Sequence, residues 1–131
     1  MQAFLTNAID WEATRDRKVA AILGESPSKY AKSPTVWNAG FEALGIPAIF
    51  LPFDVPEERL EGLVSAMRKE NRLLGFSVTV PYKLKIIPLL DRLDPKAKAT
   101  GFTPACRRAG WDARRKSKSD PCRADPMWFT T

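Results

Sequence analysis

The chain has 131 residues, 44% hydrophobic and 27% charged, and a chain of this length is expected to form one domain with a real core. It has no histidine and only two cysteines, which excludes Ser-His and Cys-His catalysis, histidine-ligated metals and a complete zinc site. The net charge of +6 is uneven, because seven basic and three acidic residues give +4 to residues 104–131 and leave +2 for residues 1–103. The positive charge therefore does not indicate nucleic-acid binding by the main part of the chain.

The sequence carries no signal for a membrane or for export. No apolar run approaches the roughly 20 residues of a membrane span. The N-terminal segment lacks the basic start and the apolar stretch of a secretory signal, and acidic residues follow early, at Asp10 and Glu12. We therefore expect a cytoplasmic protein in which Cys106 and Cys122 are unpaired thiols.

The first half of the chain predicts an arm, a strand and a helix. Residues 1–17 carry a few apolar residues at helical spacing, which predicts a short helix or arm. The apolar run Lys18–Gly24 predicts a buried strand, and a hydroxyl-rich loop follows over residues 25–32. Ser33 and Pro34 are typical of the cap and first turn of a helix. One apolar face of this helix is formed by Trp37, Phe41 and Leu44.

The next segments predict two more strands and two more helices. A second strand is predicted at Ala48–Val55, where Pro52 favours the edge of a sheet or the end of the strand. The following helix has acidic residues in its first turn. Its predicted buried face consists of Leu60, Leu63, Val64 and Met67. A third strand is predicted at Leu74–Val80, and a helical stretch at Leu84–Leu93 that Pro88 should break or kink.

This alternation predicts the fold class. Helices between strands imply a three-layer α/β/α domain with a mainly parallel sheet. The strands expected to be neighbours are Val19–Leu23, Ala48–Phe53 and Phe76–Val80. The periodic pattern stops at Gly101, and we expect residues 102–131 to be a disordered basic tail. The predicted organisation is therefore an arm at 1–17, an α/β domain at 18–101 and an aberrant tail.

Two polar segments are candidates for chemistry. Ser26–Pro34 lies between a strand and a helix, where a hydroxyl-rich loop suits a small polar ligand and a helix N-terminus favours a carboxylate. Ser77–Lys83 places Thr79 and Lys83 at the end of the third strand, where a partly desolvated lysine can act as an acid or base. Taken singly, Ser33 can be merely a helix cap and Lys83 an ordinary solvated lysine.

Together, the two segments resemble the substrate domain of shikimate dehydrogenase. That family carries a serine-containing loop ending in Lys-Ser-Pro and an Asn-Val-Thr-Val-Pro-(Phe/Tyr)-Lys segment. Residues 37–41 (Trp-Asn-Ala-Gly-Phe) and 90–94 (Leu-Asp-Arg-Leu-Asp) are similar to the family as well, and the likeness covers residues 18–101. The resemblance implies an aminoacid-dehydrogenase-like N-terminal domain. It also implies NADP-dependent interconversion of 3-dehydroshikimate and shikimate, in aromatic amino-acid biosynthesis.

The resemblance also implies roles for individual residues. Ser33 matches the serine that binds the substrate carboxylate, and Thr79 matches the threonine that hydrogen-bonds a ring hydroxyl. Lys83 matches the catalytic lysine that handles the proton. Ala31 stands where the family usually has another serine, and the missing hydrogen bond costs about 1–3 kcal/mol if its partner stays buried. The candidates to replace that bond are Tyr30 and Ser28.

Other departures affect the rest of the site. Ser77 stands where the family usually has asparagine. After Gly101 the family continues Ala-Val-Asn-Thr and later Asn-Thr-Asp, whereas this chain reads Phe-Thr-Pro-Ala. The substrate-binding asparagine and the aspartate that pairs with the catalytic lysine are therefore missing. No Gly-x-Gly occurs, so the chain lacks a dinucleotide fingerprint. We expect a truncated chain that does not bind NADP and is inactive alone, with a tail produced by a frame disruption or gene truncation.

Three functions remain open from the sequence. The first is a truncated shikimate dehydrogenase with a partial active site. The second is a non-catalytic binding or regulatory module for shikimate- or quinate-like acids, which would need the same pocket. The third is a nucleic-acid binder acting through the tail, which the lack of aromatic residues within the basic run disfavours. We expect a small-molecule partner (shikimate, 3-dehydroshikimate or quinate) and neither nucleic acid nor membrane; the oligomeric state is left open.

Overall fold

The computed structural model describes residues 1–91 and the backbone of two short strands at 105–108 and 128–129. The strands are β1 (Lys18–Gly24), β2 (Ala48–Asp54), β3 (Leu73–Val78), β4 (Ala105–Arg108) and β5 (Trp128–Phe129). The helices are α1 (Pro27–Tyr30), α2 (Ser33–Ala43) and α3 (Leu60–Lys69). Short 3-10 turns lie at Gln2–Phe4, Glu57–Arg59 and Ile87–Leu89. Among these described residues, no helix has the length and apolar character needed to span a bilayer.

The sheet has the strand order β2-β1-β3-β4-β5. β1 lies between β2 and β3 and pairs with both in parallel, which confirms that the three predicted strands are parallel neighbours. The register places Gly24 opposite Asp54 and Leu23 opposite Val78. The carboxyl ends of all three strands therefore meet at one edge of the sheet.

One face of the sheet carries the main hydrophobic core. Val19, Ala21 and Leu23 of β1 are fully buried and point to the same face, because alternate residues of a strand share a side. They form one cluster with the buried residues of α3, namely Leu60, Leu63, Val64 and Met67. All four residues predicted for the buried face of this helix are therefore confirmed. Full burial of such a side chain contributes about 1.5–3 kcal/mol to folding.

Helix α2 lies on the opposite face, and none of its residues is buried. Trp37 stacks on Phe50 of β2, with ring centroids 5.9 Å apart, yet it remains 53% exposed, and Leu44 is 71% exposed. The apolar face predicted for this helix is therefore largely exposed at Trp37 and Leu44. The physical reason is that Asn38 is hydrogen-bonded to the sheet, which turns the apolar stripe outward.

The outer edge of β2 is covered by two asparagine side chains instead of another strand. Asn38 donates to the Phe50 carbonyl at 3.0 Å and accepts from the Phe50 amide at 2.7 Å. Asn7 donates to the Pro52 carbonyl and accepts from the Asp54 amide, both at 2.9 Å. Each amide group thus replaces the pair of bonds that a neighbouring strand would make. The position of Pro52 in an edge strand agrees with the sequence prediction.

Within the described residues, neither the segment 1–17 nor the stretch from Leu84 forms an α-helix. In residues 1–17 only Gln2–Phe4 forms a 3-10 turn, and the rest is an arm that runs to β1. The stretch predicted as a helix from Leu84 forms turns and the 3-10 turn Ile87–Leu89, and its last two residues lie outside the described range. This interruption agrees with the break or kink predicted at Pro88, which removes a backbone donor that an α-helix needs.

Two short strands lie in the segment predicted to be a disordered tail. β4 pairs antiparallel with β3, with Gly75 opposite Arg107 and Ser77 opposite Ala105, and β5 pairs in parallel with β4. β3 is therefore paired on both of its sides. For the other residues of 102–131, the predicted disorder lies outside the described residues.

Candidate ligand-binding edge of the sheet

The carboxyl ends of β1, β2 and β3 are joined by short backbone hydrogen bonds. The Thr79 amide, just after β3, donates to the Leu23 carbonyl at 2.9 Å. The Val55 amide, just after β2, donates to the Gly24 carbonyl at 2.9 Å. The ends of β2 and β3 are therefore both fixed to the end of β1, where the Ser26–Pro34 segment begins. Open α/β sheets bind ligands at such an edge.

Gly24 is the point at which the two predicted segments meet. A Cβ at this position would overlap the Thr79 methyl group and lie 3.0 Å from the Val80 carbonyl oxygen and 3.5 Å from Cδ of Pro27. The hydroxyl-rich loop and the end of β3 thus approach the same backbone atom from two sides. Only glycine allows this approach, so the glycine that ends the predicted strand is a signal for the site as well as for the strand boundary.

Ser33 is the first residue of α2, and its hydroxyl has no partner within the described chain. The preceding Lys32 occupies the cap position, and no side chain caps the helix, so the prediction that Ser33 is the cap is wrong. The Ser33 Oγ atom is buried without a hydrogen bond. Leaving such a group unpaired costs about 1–3 kcal/mol. A carboxylate would satisfy the hydroxyl and also suit the positive end of the helix.

Thr79 and Lys83 flank a turn that begins after β3. Both residues are partly buried, and the peptide between Val80 and Pro81 is cis. β3 ends at Val78, two residues before the predicted end, because Thr79 turns away to bond with β1. The Thr79 amide is thereby fixed to the carboxyl end of β1, and Lys83 follows four residues later in the turn.

Tyr82 anchors this turn in the core. Its side chain is 1% exposed, and its hydroxyl donates to the Val55 carbonyl at 2.8 Å. Burial raises the pKa of the Tyr82 phenol, and the negative charges of Glu25, Glu57 and Glu58 raise it further. The anchor holds the backbone next to Lys83 against the end of β2.

The two candidate replacements for the missing serine have different surroundings. Both lie on α1, and the Tyr30 side chain is 48% exposed. The Ser28 amide donates to Oδ1 of Asp54 at 2.8 Å, and the Ser28 hydroxyl donates to Oδ2 of the same carboxylate. Asp54 is 4% exposed. Asp54 was not among the predicted site residues, although a carboxylate at the end of an apolar strand is a signal for such a site.

Two cavities of the structure lie away from this edge. One, of about 260 Å³, lies between α3 and the Ile87–Leu89 turn and includes Arg68 and Asp91 in its wall. The other, of about 290 Å³, lies at the amino ends of the strands and is lined by Arg15–Lys18, Pro47 and Arg72. Neither is lined by a predicted site residue.

The described residues do not fit a dinucleotide or a metal ion. Dinucleotide phosphates bind at a glycine-rich turn before a helix, and the sequence has no Gly-x-Gly. Gly24 and Gly62 are closed by the Thr79 methyl group and the Phe4 ring, and a Cβ at Gly40 or Gly45 would meet nothing within 4 Å. Within the described part of the chain, no three His, Cys, Asp or Glu side chains are grouped to hold a metal.

A family model for the shikimate dehydrogenase substrate binding domain matches residues 22–103. The chain belongs to this family. The match confirms the resemblance that the loop and the Ser77–Lys83 segment indicated over residues 18–101. The shikimate dehydrogenase (NADP(+)) of Citrifermentans bemidjiense is 43% identical over 88 residues, which are 67% of this chain and 30% of the relative. That of Methanococcus maripaludis is 40% identical over 84 residues, or 64% of this chain and 29% of the relative.

Solved shikimate dehydrogenases share the fold. The Listeria monocytogenes enzyme, solved with shikimate and NAD, matches with a TM-score of 0.63 and 29% identity, over 77% of this chain and 33% of that one. The Thermus thermophilus enzyme, solved with NADP(H) and shikimate, matches with a TM-score of 0.60 and 28% identity, over 66% of this chain and 32% of that one. The chain spans about 30% of the length of the curated shikimate dehydrogenases it matches.

Proposed function

We propose that this chain is the substrate-binding part of an NADP-dependent shikimate dehydrogenase. It binds shikimate or 3-dehydroshikimate at the carboxyl edge of β1, β2 and β3. The observation that carries the proposal is the contact at Gly24, where the Ser26–Pro34 segment and Thr79 approach one backbone atom. Membership of the family and the shikimate present in two solved relatives support the choice of ligand.

Each proposed residue has a role that follows from its chemistry. The buried Ser33 hydroxyl donates to the substrate carboxylate, next to the amino end of α2. Thr79 hydrogen-bonds a ring hydroxyl. Lys83 lies at the reacting oxygen, where its ammonium group stabilises the negative charge that develops during carbonyl reduction and supplies the proton. Tyr30 is a further hydroxyl at this edge, exposed on α1.

The binding experiment is a titration of the ¹⁵N-labelled chain with shikimate, and in parallel with quinate, followed by NMR. Shikimate should shift amides near Ser33 and Thr79. Ser33→Ala and Lys83→Met should each weaken binding, by about tenfold for the loss of a hydrogen bond to a charged group. Lys85→Met is the matched control, because Lys85 lies two residues away and pairs with Glu57. Unchanged amides at Ser33 and Thr79, or equal effects of both lysine variants, would reject the site.

NADP belongs, in this proposal, to the full-length enzyme, and the chain alone does not turn over substrate. Reduction requires a cofactor held against the substrate, and the described residues do not fit one. The pure chain should therefore not oxidise NADPH in the presence of 3-dehydroshikimate, as measured by NADPH absorbance. Steady oxidation would contradict this expectation.

The alternative is a non-catalytic module that binds the same acids. Addition of the dinucleotide-binding part of a related enzyme separates the two functions. A substrate-binding part should then show NADPH-dependent turnover that Lys83→Met abolishes and Lys85→Met keeps. A binding module should stay inactive although it still binds shikimate.

A further inference from the structure

Asp54 is a buried carboxylate whose two oxygens are both bound by one residue of the loop. The Ser28 amide donates to Oδ1 at 2.8 Å, and the Ser28 hydroxyl donates to Oδ2. Asp54 is 4% exposed and is the last residue of β2. Hydrogen bonds to an ionised carboxylate are about twice as strong as bonds between neutral groups. The pair therefore forms a strong link between the sheet and the loop.

The backbone of Asp54 is fixed from the other side by the N-terminal arm. The Asp54 amide donates to Oδ1 of Asn7 at 2.9 Å, and the Thr6 amide donates to the Asp54 carbonyl at 2.8 Å. Gly24 is its register partner in β1. Asp54 is therefore held within the sheet by its backbone, while its carboxylate is directed at the loop.

The loop needs such a link, because its own secondary structure is short. Helix α1 has four residues, and isolated helices of that length are unstable in water. The ordering of this segment must therefore come from contacts with the rest of the fold. The path from Ser28 to Ser33 is only five residues long, so the position of α1 limits where the Ser33 hydroxyl can lie.

We propose that Asp54 is a positioning residue for the ligand loop, defined as residues 26–33. It acts through Ser28, which is an anchor of the loop and not a contact of the substrate. The proposal rests on the function proposed above, because the loop is taken to bind the substrate carboxylate through Ser33. It assigns a role to Asp54 and replaces the ligand role expected for Ser28.

The experiment combines a double-mutant cycle with NMR on the full chain. Ser28→Ala and Asp54→Asn should each raise the Kd for shikimate about tenfold, and the double variant should bind no more weakly than either single variant. Ser28→Thr keeps both donors and should retain the affinity. Glu25→Gln is the charge control, because it removes an exposed carboxylate at the same edge. Additive losses, or full affinity in Ser28→Ala, would overturn the proposal.

Hydrogen exchange is a second measurement, which tests the positioning role even if shikimate does not bind or if Asp54 variants do not fold. Hydrogen exchange of the Ser28 amide should be slow in the wild-type chain and fast in Asp54→Asn, while amides in the core of β1 stay protected. If the wild-type chain binds no shikimate but shows this exchange pattern, the proposed function fails and the positioning role stands. Ser28→Ala, on the exposed α1, replaces the Asp54 variant if the latter unfolds. Equal exchange at Ser28 in Asp54→Asn, or unchanged exchange at Ala31 in Ser28→Ala, would reject the positioning role.

Discussion

At the residue scale, Gly24 makes the strongest demand on side-chain identity. The Gly24→Ala methyl group would overlap Thr79 and lie 3.0 Å from the Val80 carbonyl oxygen. We expect a loss of about 1–3 kcal/mol in stability and weaker shikimate binding, because Thr79 must move. Gly40→Ala is the control, since nothing lies within 4 Å of that position in α2, and it should stabilise by about 0.5–1 kcal/mol. Urea unfolding of the two variants measures both effects, and equal stability would contradict the crowding at Gly24.

Tyr82 should give the fold a dependence on alkaline pH. Burial raises the pKa of its phenol, so its protonated form stabilises the fold below the ordinary value of 10.0, and that contribution is lost as the pH rises through the raised pKa. Tyr82→Phe leaves the Val55 carbonyl without its bond and should cost about 1–3 kcal/mol near neutral pH. Its deficit should shrink above pH 10.0. Thermal unfolding across pH measures this, and Tyr30→Phe, at an exposed position, should match wild type throughout.

The site residues were predictable from the sequence to different degrees. Ser33, Thr79 and Lys83 could be placed at one edge because the ends of parallel strands meet there. The environment of the Ser33 hydroxyl could not be predicted. Whether this serine caps the helix or lies inside its first turn depends on the residue at which the helix begins. Asp54 was not predicted, because its partner Ser28 is 26 residues away and nothing local links the two.

At the scale of elements, α3 buries its apolar residues, whereas several apolar residues of α2 are exposed. Leu63 on α3 is fully buried, whereas Val36 on α2 is 67% exposed. We expect Leu63→Ala to cost about 2–5 kcal/mol, because it leaves a cavity in the core. Val36→Lys should change stability by no more than about 0.5 kcal/mol. Denaturant unfolding compares the two. A large cost for Val36→Lys would mean that this exposed face of α2 is covered in solution.

At the scale of the whole molecule, the sequence was enough to predict the three parallel strands. It predicted only part of the packing of the helices on the sheet. The three parallel strands and the packing of α3 were predictable, because apolar runs and the spacing of 3.6 residues per turn encode burial directly. The orientation of α2 depends on Asn38 reaching Phe50, a tertiary contact that periodicity does not record. Residues 1–17 were predicted to form a short helix or an arm, and the hydrogen bonds of Asn7 to β2 favour the arm.

The pairing of β4 with β3 leads to an expectation for the segment predicted as a tail. Backbone amides of Ala105–Arg108 should exchange more slowly than unstructured peptide, because the strand pairs with residues 75–77. Exchange measured by mass spectrometry or NMR tests this. Full exchange at the unstructured rate over residues 105–108 would contradict the pairing.

We propose that a frame disruption or gene truncation produced the sequence from about residue 102 onward. The family match ends at residue 103, and a basic segment that contains both cysteines follows. The coding DNA after the Gly101 codon tests the proposal directly. Another reading frame should encode an Ala-Val-Asn-Thr-like segment and then a glycine-rich nucleotide fold. Their absence from all three frames would reject it.

The two asparagines that cover the outer edge of β2 also limit how long that edge stays chemically intact. Asparagine is among the residues least durable toward heat, since its amide hydrolyses to a carboxylate. At Asn7 or Asn38 that single reaction would remove a donor and set a negative charge against the carbonyl of Pro52 or Phe50. The freed strand, Ala-Ile-Phe-Leu-Pro-Phe, is strongly apolar. Aged material should therefore associate through the freed edge of β2 as deamidation proceeds.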